Sequence, residues 1–473
     1  MRLWTHEARL LLRARLPVLA LALLAALTIA ALVAGMHEVA RQRAQIAAIP
    51  AAQAEDIAAV ADYVEQSRDA GSAAYFSFHP TWDPPSPLAF AALGMRDVAP
   101  HILRVRALGL EAQIYDGDVF NPELALPGRF DFAFVLVFVA PLFALVLLHD
   151  LTSSEREAGR LPTLEAQIYD GDVFNPELAL PGRFDFAFVL VFLAPLFALV
   201  LLHDLTSSER EAGRLPTLEA LPGGGRRLFR RRVALRFALL LAAVGLPFGV
   251  GAAIAGVPIG TTLAVLALAA GYLLVWTAIA LLVARLRWSS VANAATLAAC
   301  WIVLVLVLPT LAHVLINRAV PVNEGAEIAL AQREMVNRAW DIPREETMRR
   351  FYAGHPQWAD SPPLTAAFHY KWYFAFHQVG DESVADRVRS YRAGLERRAS
   401  LAAAIGWVLP SVGVQALLTR MAETDLVAQL AYQDRIRAYH TRLRAFYYGY
   451  LFRDRPFGRA DFARAPRFDD RAR

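Results

Sequence analysis

The sequence predicts an all-α integral membrane protein, a polytopic helical bundle with two mainly helical extracytoplasmic domains. Three observations predict it. First, 56% of the 473 residues are apolar, and they gather in long uncharged runs rather than the short patterns of a soluble core. Second, arginine clusters border several of those runs. Third, the stretches 37–129 and 318–473 are mixed in character, with charged and aromatic residues interspersed. The net charge of +4 argues against a dedicated nucleic-acid binder. Lys371 is the only lysine, and the preference for arginine reads as codon bias in a GC-rich genome. Cys300 is the only cysteine and lies in an apolar run, so the chain has neither an intrachain disulfide nor a cysteine-based metal site.

A bilayer core of roughly 30 Å needs about 20 apolar residues in a helix. Residues 16–36 qualify, and they are too long and lack the cleavage site for a signal peptide, so they read as a retained first span. Arg2, Arg9, Arg13 and Arg15 precede this span and place the N-terminus in the cytoplasm. The domain at 37–129 is then outside. Next come a span at 130–148, a linker at 149–183 and a span at 184–202. Residues 237–284 carry no charge and are too long for one crossing. The turn GVPIG at 256–260 divides them into spans at 237–255 and 261–284. A further span at 291–316 returns the chain outside, where 318–473 forms the second outer region. Within that region 401–418 is a weak apolar segment broken by Pro410 and carrying Gln415, read as interfacial with a sixth crossing left open. The stretch 424–447 reads as an amphipathic helix, beside the membrane or packed on the outer domain, with Thr424 or Asp425 as its cap.

Residues 110–163 repeat almost letter for letter at 164–217, differing only at Val139 and Leu193. The repeat creates a topological conflict. One crossing is needed between the outer domain and the cluster Arg226, Arg227, Arg230, Arg231, Arg232 and Arg236, yet two apolar segments are offered. The second copy runs directly into the cluster and is favoured as the working crossing. The near-identity points to a recent duplication or a sequence-assembly error.

Between that span and the next lies HDLTSSEREAGRLPTLEALPGGGRRLFRRRVALR, 203–236. Ser207 and Ser208 are helix-capping types, 215–221 is a short amphipathic segment, and PGGG makes a turn. A short cytoplasmic helix presenting paired acids and apolar residues suits a groove on a soluble partner. A solvated loop with interfacial arginines is the other reading, and the residues alone leave both open.

The stretch SSEREAGRLPTLEALP resembles the loop after the second span of type-2 ABC exporter permeases. There the pattern is Glu-x-Glu-x-Gly-Thr-Leu-x-x-Leu followed by Pro. Glu209, Glu211, Gly213, Leu215, Leu218 and Pro222 match it in kind, with Arg210 between the acids, while Arg214 to Thr217 depart from the Thr-Leu pair. RLWTHEARLLLRAR, within 1–15, is similar to the amphipathic elbow preceding the first span of these proteins. The outer stretches, including HPQWAD and FHYKWYFAFHQVGDESV, resemble a subgroup whose large extracytoplasmic regions are known only as a domain of unknown function. The resemblance implies a multi-pass permease subunit of the inner (plasma) membrane, without catalytic, cofactor or metal residues of its own. It also implies a coupling loop that contacts a separate ABC ATPase, and a second permease copy or paralogue. No phosphate-binding Gly-x-x-x-x-Gly-Lys loop is present in the sequence. Pro195, Pro247 and Pro309 are candidate kinks.

Two other classes are kept beside this one: a non-transporting sensor or assembly scaffold, and a membrane enzyme acting in the outer domain. His79, His101, His355, His369 and His377 lie in the outer regions near Trp82, Trp358 and Trp372, but unpaired histidines are more often packed than ligating. Ser207 is expected to be shielded from a reagent applied outside the cell.

Overall fold

The computed structural model describes residues 15–115, 184–220, 224–322, 325–366 and 368–468. The elbow at 1–15, apart from Arg15, and the spans and linker expected across 130–183 lie outside them. Five helices among the described residues are long and apolar enough to cross a membrane, which makes the chain a polytopic, all-helical membrane protein.

Helix α1, Arg15–Ser67, is 53 residues long, about 80 Å of helix. The sequence places the end of the first span at residue 36, but nothing there stops a helix. The Ala-rich stretch that follows has high helix propensity, and Glu38 binds both Arg41 and Gln42 along one face. The first half of α1 therefore lies in the bundle, and the second half projects into the domain. Helix α2 (Ala70–Phe76), the antiparallel strands β1 (His79–Trp82) and β2 (Ile102–Val105), and α3 (Glu111–Tyr115) follow, with His79 opposite Val105 and Trp82 opposite Ile102.

Helix α4 runs from Phe186–Phe188 through a π-helical turn, Val189–Leu193, into Ala194–Leu202. Pro195 explains the wide turn. It has no N–H to give the carbonyl four residues earlier, and its ring crowds that position. That carbonyl, on Val191, instead accepts the Tyr272 hydroxyl at 2.8 Å. Two short helices, α5 (Ser207–Glu211) and α6 (Leu215–Ala220), lead to α7 (Gly224–Ile254) and α8 (Ile259–Ala284). Helix α9, Ser290–Ala319, contains a second π segment, Ile302–Val307, again just ahead of a proline, Pro309. Pro247 sits within α7 in regular helix.

Six helices follow: α10 (Gly325–Arg338), α11 (Arg344–Gly354), α12 (Tyr370–Ser383), α13 (Ala385–Ile405), α14 (Pro410–Met421) and α15 (Leu426–Leu451). They pack against the elements between α1 and Tyr115. Ala61, Val64, Val105 and Tyr115 share one hydrophobic core with Ile328, Phe351, Trp372 and Leu443, so both outer stretches fold as one body. Helix α15 is the centre of that body rather than a surface helix. Leu430, Tyr432, Ile436, Tyr439, His440 and Tyr447 are all buried, and Asp425 caps it by accepting the Ala428 amide.

The segment 401–418 does not form one helix. It divides into the end of α13 and the start of α14, and the two touch where a Cβ on Gly413 would stand 2.3 Å from the Gly406 carbonyl oxygen. The Ser411 hydroxyl donates to the Leu304 carbonyl at 3.0 Å. Leu304 lies about 21 Å along α9 from Ser290, near its middle. Both ends of the hairpin nevertheless stay at the domain end of the bundle: Arg398 Nε donates to the Val320 carbonyl, and Thr424 Oγ1 to the Ala92 carbonyl. The hairpin thus dips into the bundle and returns.

Domain and bundle meet at residues 88–93, which are buried in the bundle core. Gly35 of α1 lies against Phe90 so closely that a Cβ would sit 2.0 Å from its carbonyl oxygen. Asp185 accepts the Leu93 amide at 2.9 Å and caps α4 through the Phe188 amide at 2.8 Å. The described chain therefore leaves the domain at Tyr115 and resumes at Phe184 on the same end of the bundle. From there the apolar segment of the second repeat copy runs through the bundle core.

Candidate functional site

The opposite end of the bundle collects the arginines that the sequence scatters: Arg15, Arg210, Arg214, Arg232, Arg236, Arg285 and Arg287. Helices α5 and α6 lie there. The first of them is closed by a glycine. The Gly213 amide returns to the Arg210 carbonyl and the Arg214 amide to the Glu209 carbonyl, which needs Gly213 at φ +67°. Ser207 and Ser208 do not cap the helix. Their hydroxyls turn back to the carbonyls of His203 and Asp204, while Thr206 holds the cap position without a side-chain bond.

Both acids of the loop are bonded within the protein, Glu209 half-buried and Glu211 exposed. Glu209 Oε1 accepts from Arg232 Nη2 of α7 at 3.0 Å, and its Oε2 from Arg214 Nε at 2.9 Å. Arg232 is 9% exposed, and its other Nη donates to the Leu205 carbonyl at 3.1 Å. Glu211 Oε1 accepts the Ser290 amide at 2.7 Å, so it binds the first turn of α9, where carboxylates are favoured. The Ser290 hydroxyl lies 2.8 Å from Ser207 Oγ and 3.1 Å from Glu211 Oε2. Arg210 donates to the Trp288 carbonyl, and Asp204 binds Arg236 at 2.5 Å. The loop is thus tied to α7 on one side and α9 on the other.

This changes the reading of the paired acids. Glu209 and Glu211 are both tethers, and Glu211 stays exposed on the loop surface as well. The face left open is Glu211 to Arg214 with Pro216 and Thr217, and Leu215 is half-buried. Leu218 belongs to α6. Ser207 is 1% exposed, so it is shielded from any soluble reagent whichever side it faces. The sequence carries the signal for the tethers only indirectly, as acids spaced about one helical turn or more from arginines and a serine that are distant in the chain.

The outer histidines do not converge. His79 Nε2 pairs with the Tyr447 hydroxyl at 3.1 Å, His101 with Gln45, and His355 with the Phe351 carbonyl. His369 caps α12 through the Lys371 amide, and His377 packs on Tyr373 and Phe376. Burial pushes His79 down to about 4 and His377 to about 3, so both are neutral at pH 7. Among the described residues no three His, Cys, Asp or Glu side chains gather to hold a metal. Lys371 is fully buried and binds Asp454, a structural pair.

Comparison with known proteins gives one match: residues 326–470 fit the family described as a domain of unknown function, DUF3526. No curated protein and no solved structure matches the chain. The matched region begins in α10 and runs through α15, so about the last third of this membrane protein is similar to that family.

Proposed function

We propose that the chain is the membrane-spanning permease subunit of an export-type ABC transporter, moved by a separate ATPase subunit that docks on the open face of α5 and α6. The observation that carries this reading is the double tether. A loop bound through Glu209 to α7 and through Glu211 to α9 passes a push on its exposed face to two spans at once, as a rigid-body movement. The arginines at this end favour a cytoplasmic location by the positive-inside rule. With it go a cytoplasmic N-terminus, an extracytoplasmic domain and the inner (plasma) membrane. The loop's resemblance to the coupling segment of type-2 ABC exporters supports the ATPase as partner. Two membrane halves form such a transporter, so a second permease copy or paralogue completes the complex.

The test is co-purification with a candidate ATPase encoded beside this chain. Ala212→Arg with Thr217→Trp, both on the open face, abolishes capture while the thermal midpoint stays within about 2 °C of the parent's, as expected for surface changes. Capture that survives this pair excludes α5–α6 as the docking surface and favours a sensor or scaffold that does not couple to an ATPase.

A further inference from the structure

An apolar cavity of about 280 Å³ lies within the domain, just under the ~300–1,000 Å³ usual for small-molecule sites. Its walls include Met95 and Leu103 around β2, Ile114 of α3, and Leu426, Leu430 and Ile436 of α15. Gln113, Gln429, Tyr432 and Gln433 add polar groups to this mainly apolar lining. The Gln433 side chain is 8% exposed, and its Oε1 is buried without a hydrogen-bond partner. Unpaired buried carbonyls are costly, and native folds hold few of them. No lining residue is an acid, a histidine, a lysine or an arginine, so the space suits a neutral molecule.

The position of the cavity narrows the ligand further. Leu426 at its foot follows Thr424, whose carbonyl takes the Met95 amide and whose hydroxyl bonds the Ala92 carbonyl at the junction with the bundle. Ala422 already belongs to the bundle core. Ile436 lies ten residues further along α15, about 15 Å away. The cavity therefore begins where the apolar surface of the bundle ends and extends away from it.

We propose that this cavity binds the apolar chain of a neutral amphiphile, with Gln433 Oε1 accepting a hydrogen bond from an amide N–H or a hydroxyl of that molecule. The proposal is independent of the coupling loop and holds whether or not the chain transports anything.

The experiment uses the full chain in lipid nanodiscs with a long-chain primary amide bearing a mid-chain diazirine, and the matching methyl ester, which has no donor. Illumination with the amide labels peptides containing Met95 or Leu430. Leu430→Trp, which fills the space, lowers that labelling at least tenfold. Gln433→Leu lowers amide labelling about three- to tenfold, the worth of one hydrogen bond, and leaves ester labelling unchanged. Extraction and mass spectrometry of the purified chain then separate the two sources of such a molecule, a bilayer lipid or an amphiphile absent from the nanodisc lipids. Labelling confined to lipid-facing positions such as Leu246 and Ile259, or amide labelling indifferent to Gln433→Leu, overturns the proposal.

Discussion

Replacing Arg232 by methionine isolates the tether between the loop and α7. The change keeps most of the side-chain volume and removes the bonds to Glu209 Oε1 and to the Leu205 carbonyl. A hydrogen bond to a charged group contributes about 1.5–3 kcal/mol and an ordinary one about 1 kcal/mol. Relief of the arginine's own desolvation offsets part of that loss. Glu209 keeps Arg214, but the Arg214 side chain is 66% exposed and screened. The expected net loss is about 2–3 kcal/mol. Arg214→Met breaks the exposed half of the same pair and costs less than about 1 kcal/mol. Unfolding in detergent, followed by tryptophan fluorescence, measures both. A double-mutant cycle of Arg232→Met with Glu209→Gln gives a coupling of about 1–2 kcal/mol. If the two arginine substitutions cost the same, or the cycle is additive, Glu209 is not an internal anchor and the mechanical reading of the loop fails. With an ATPase partner bound, the same variant keeps the complex but loses stimulation of hydrolysis by the permease.

Tyr272→Phe leaves the Val191 carbonyl without its described donor inside the bundle, and destabilises the protein by about 1–3 kcal/mol in a thermal melt. Gly35→Leu cannot be accommodated against the Phe90 backbone, and it separates α1 from the junction, seen as new protease sensitivity around residues 88–93. The domain loses stability in acid. His79 is held neutral in the fold, with its titration near 4 against 6.5 unfolded, so the unfolded chain takes up the proton first as pH falls. Stability from this residue is intact above about 6.5 and falls by about 3 kcal/mol on reaching 4. His79→Gln removes that share of the slope in melts taken across this range. For topology, Thr217→Cys in a Cys300→Ser background is labelled by a permeant maleimide only, whereas Asp386→Cys, on the exposed face of α13, reacts with an impermeant one. Reaction of Thr217→Cys with the impermeant reagent in intact cells refutes the proposed orientation.

The spans were legible because uncharged runs of twenty or more residues leave little choice in lipid, and because arginines mark their ends. The turn at 256–260 was legible for the same kind of reason: Gly256 takes φ +71° and closes α7. Other features depend on partners far away in the chain. Residues 37–67 even carry a breaker, Pro50, through which the first helix nevertheless continues. The joining of the two stretches rests on pairs such as Asp381 with the amides of Leu110 and Glu111, separated by up to 271 residues. The hairpin at 406–413 was disguised by its hydrophobicity, which resembles a span while its glycines and Pro410 fold it back. At the loop, composition did not show that Glu209 and Glu211 bond to α7 and α9. Side chains that look like bait for a partner also hold the loop in place.

The length of α1 has a consequence of its own. It is one continuous helix of about 80 Å, with its base among the arginines; at its far end Glu65 accepts the Arg459 amide, and just beyond it the Arg68 carbonyl accepts the Phe457 amide. A tilt of only 5° at the base carries the tip through about 7 Å, by the geometry of a rigid helix of that length. Small displacements at one end are thereby amplified at the other, and Pro50 is a point between them where the helix lacks a backbone donor and can bend.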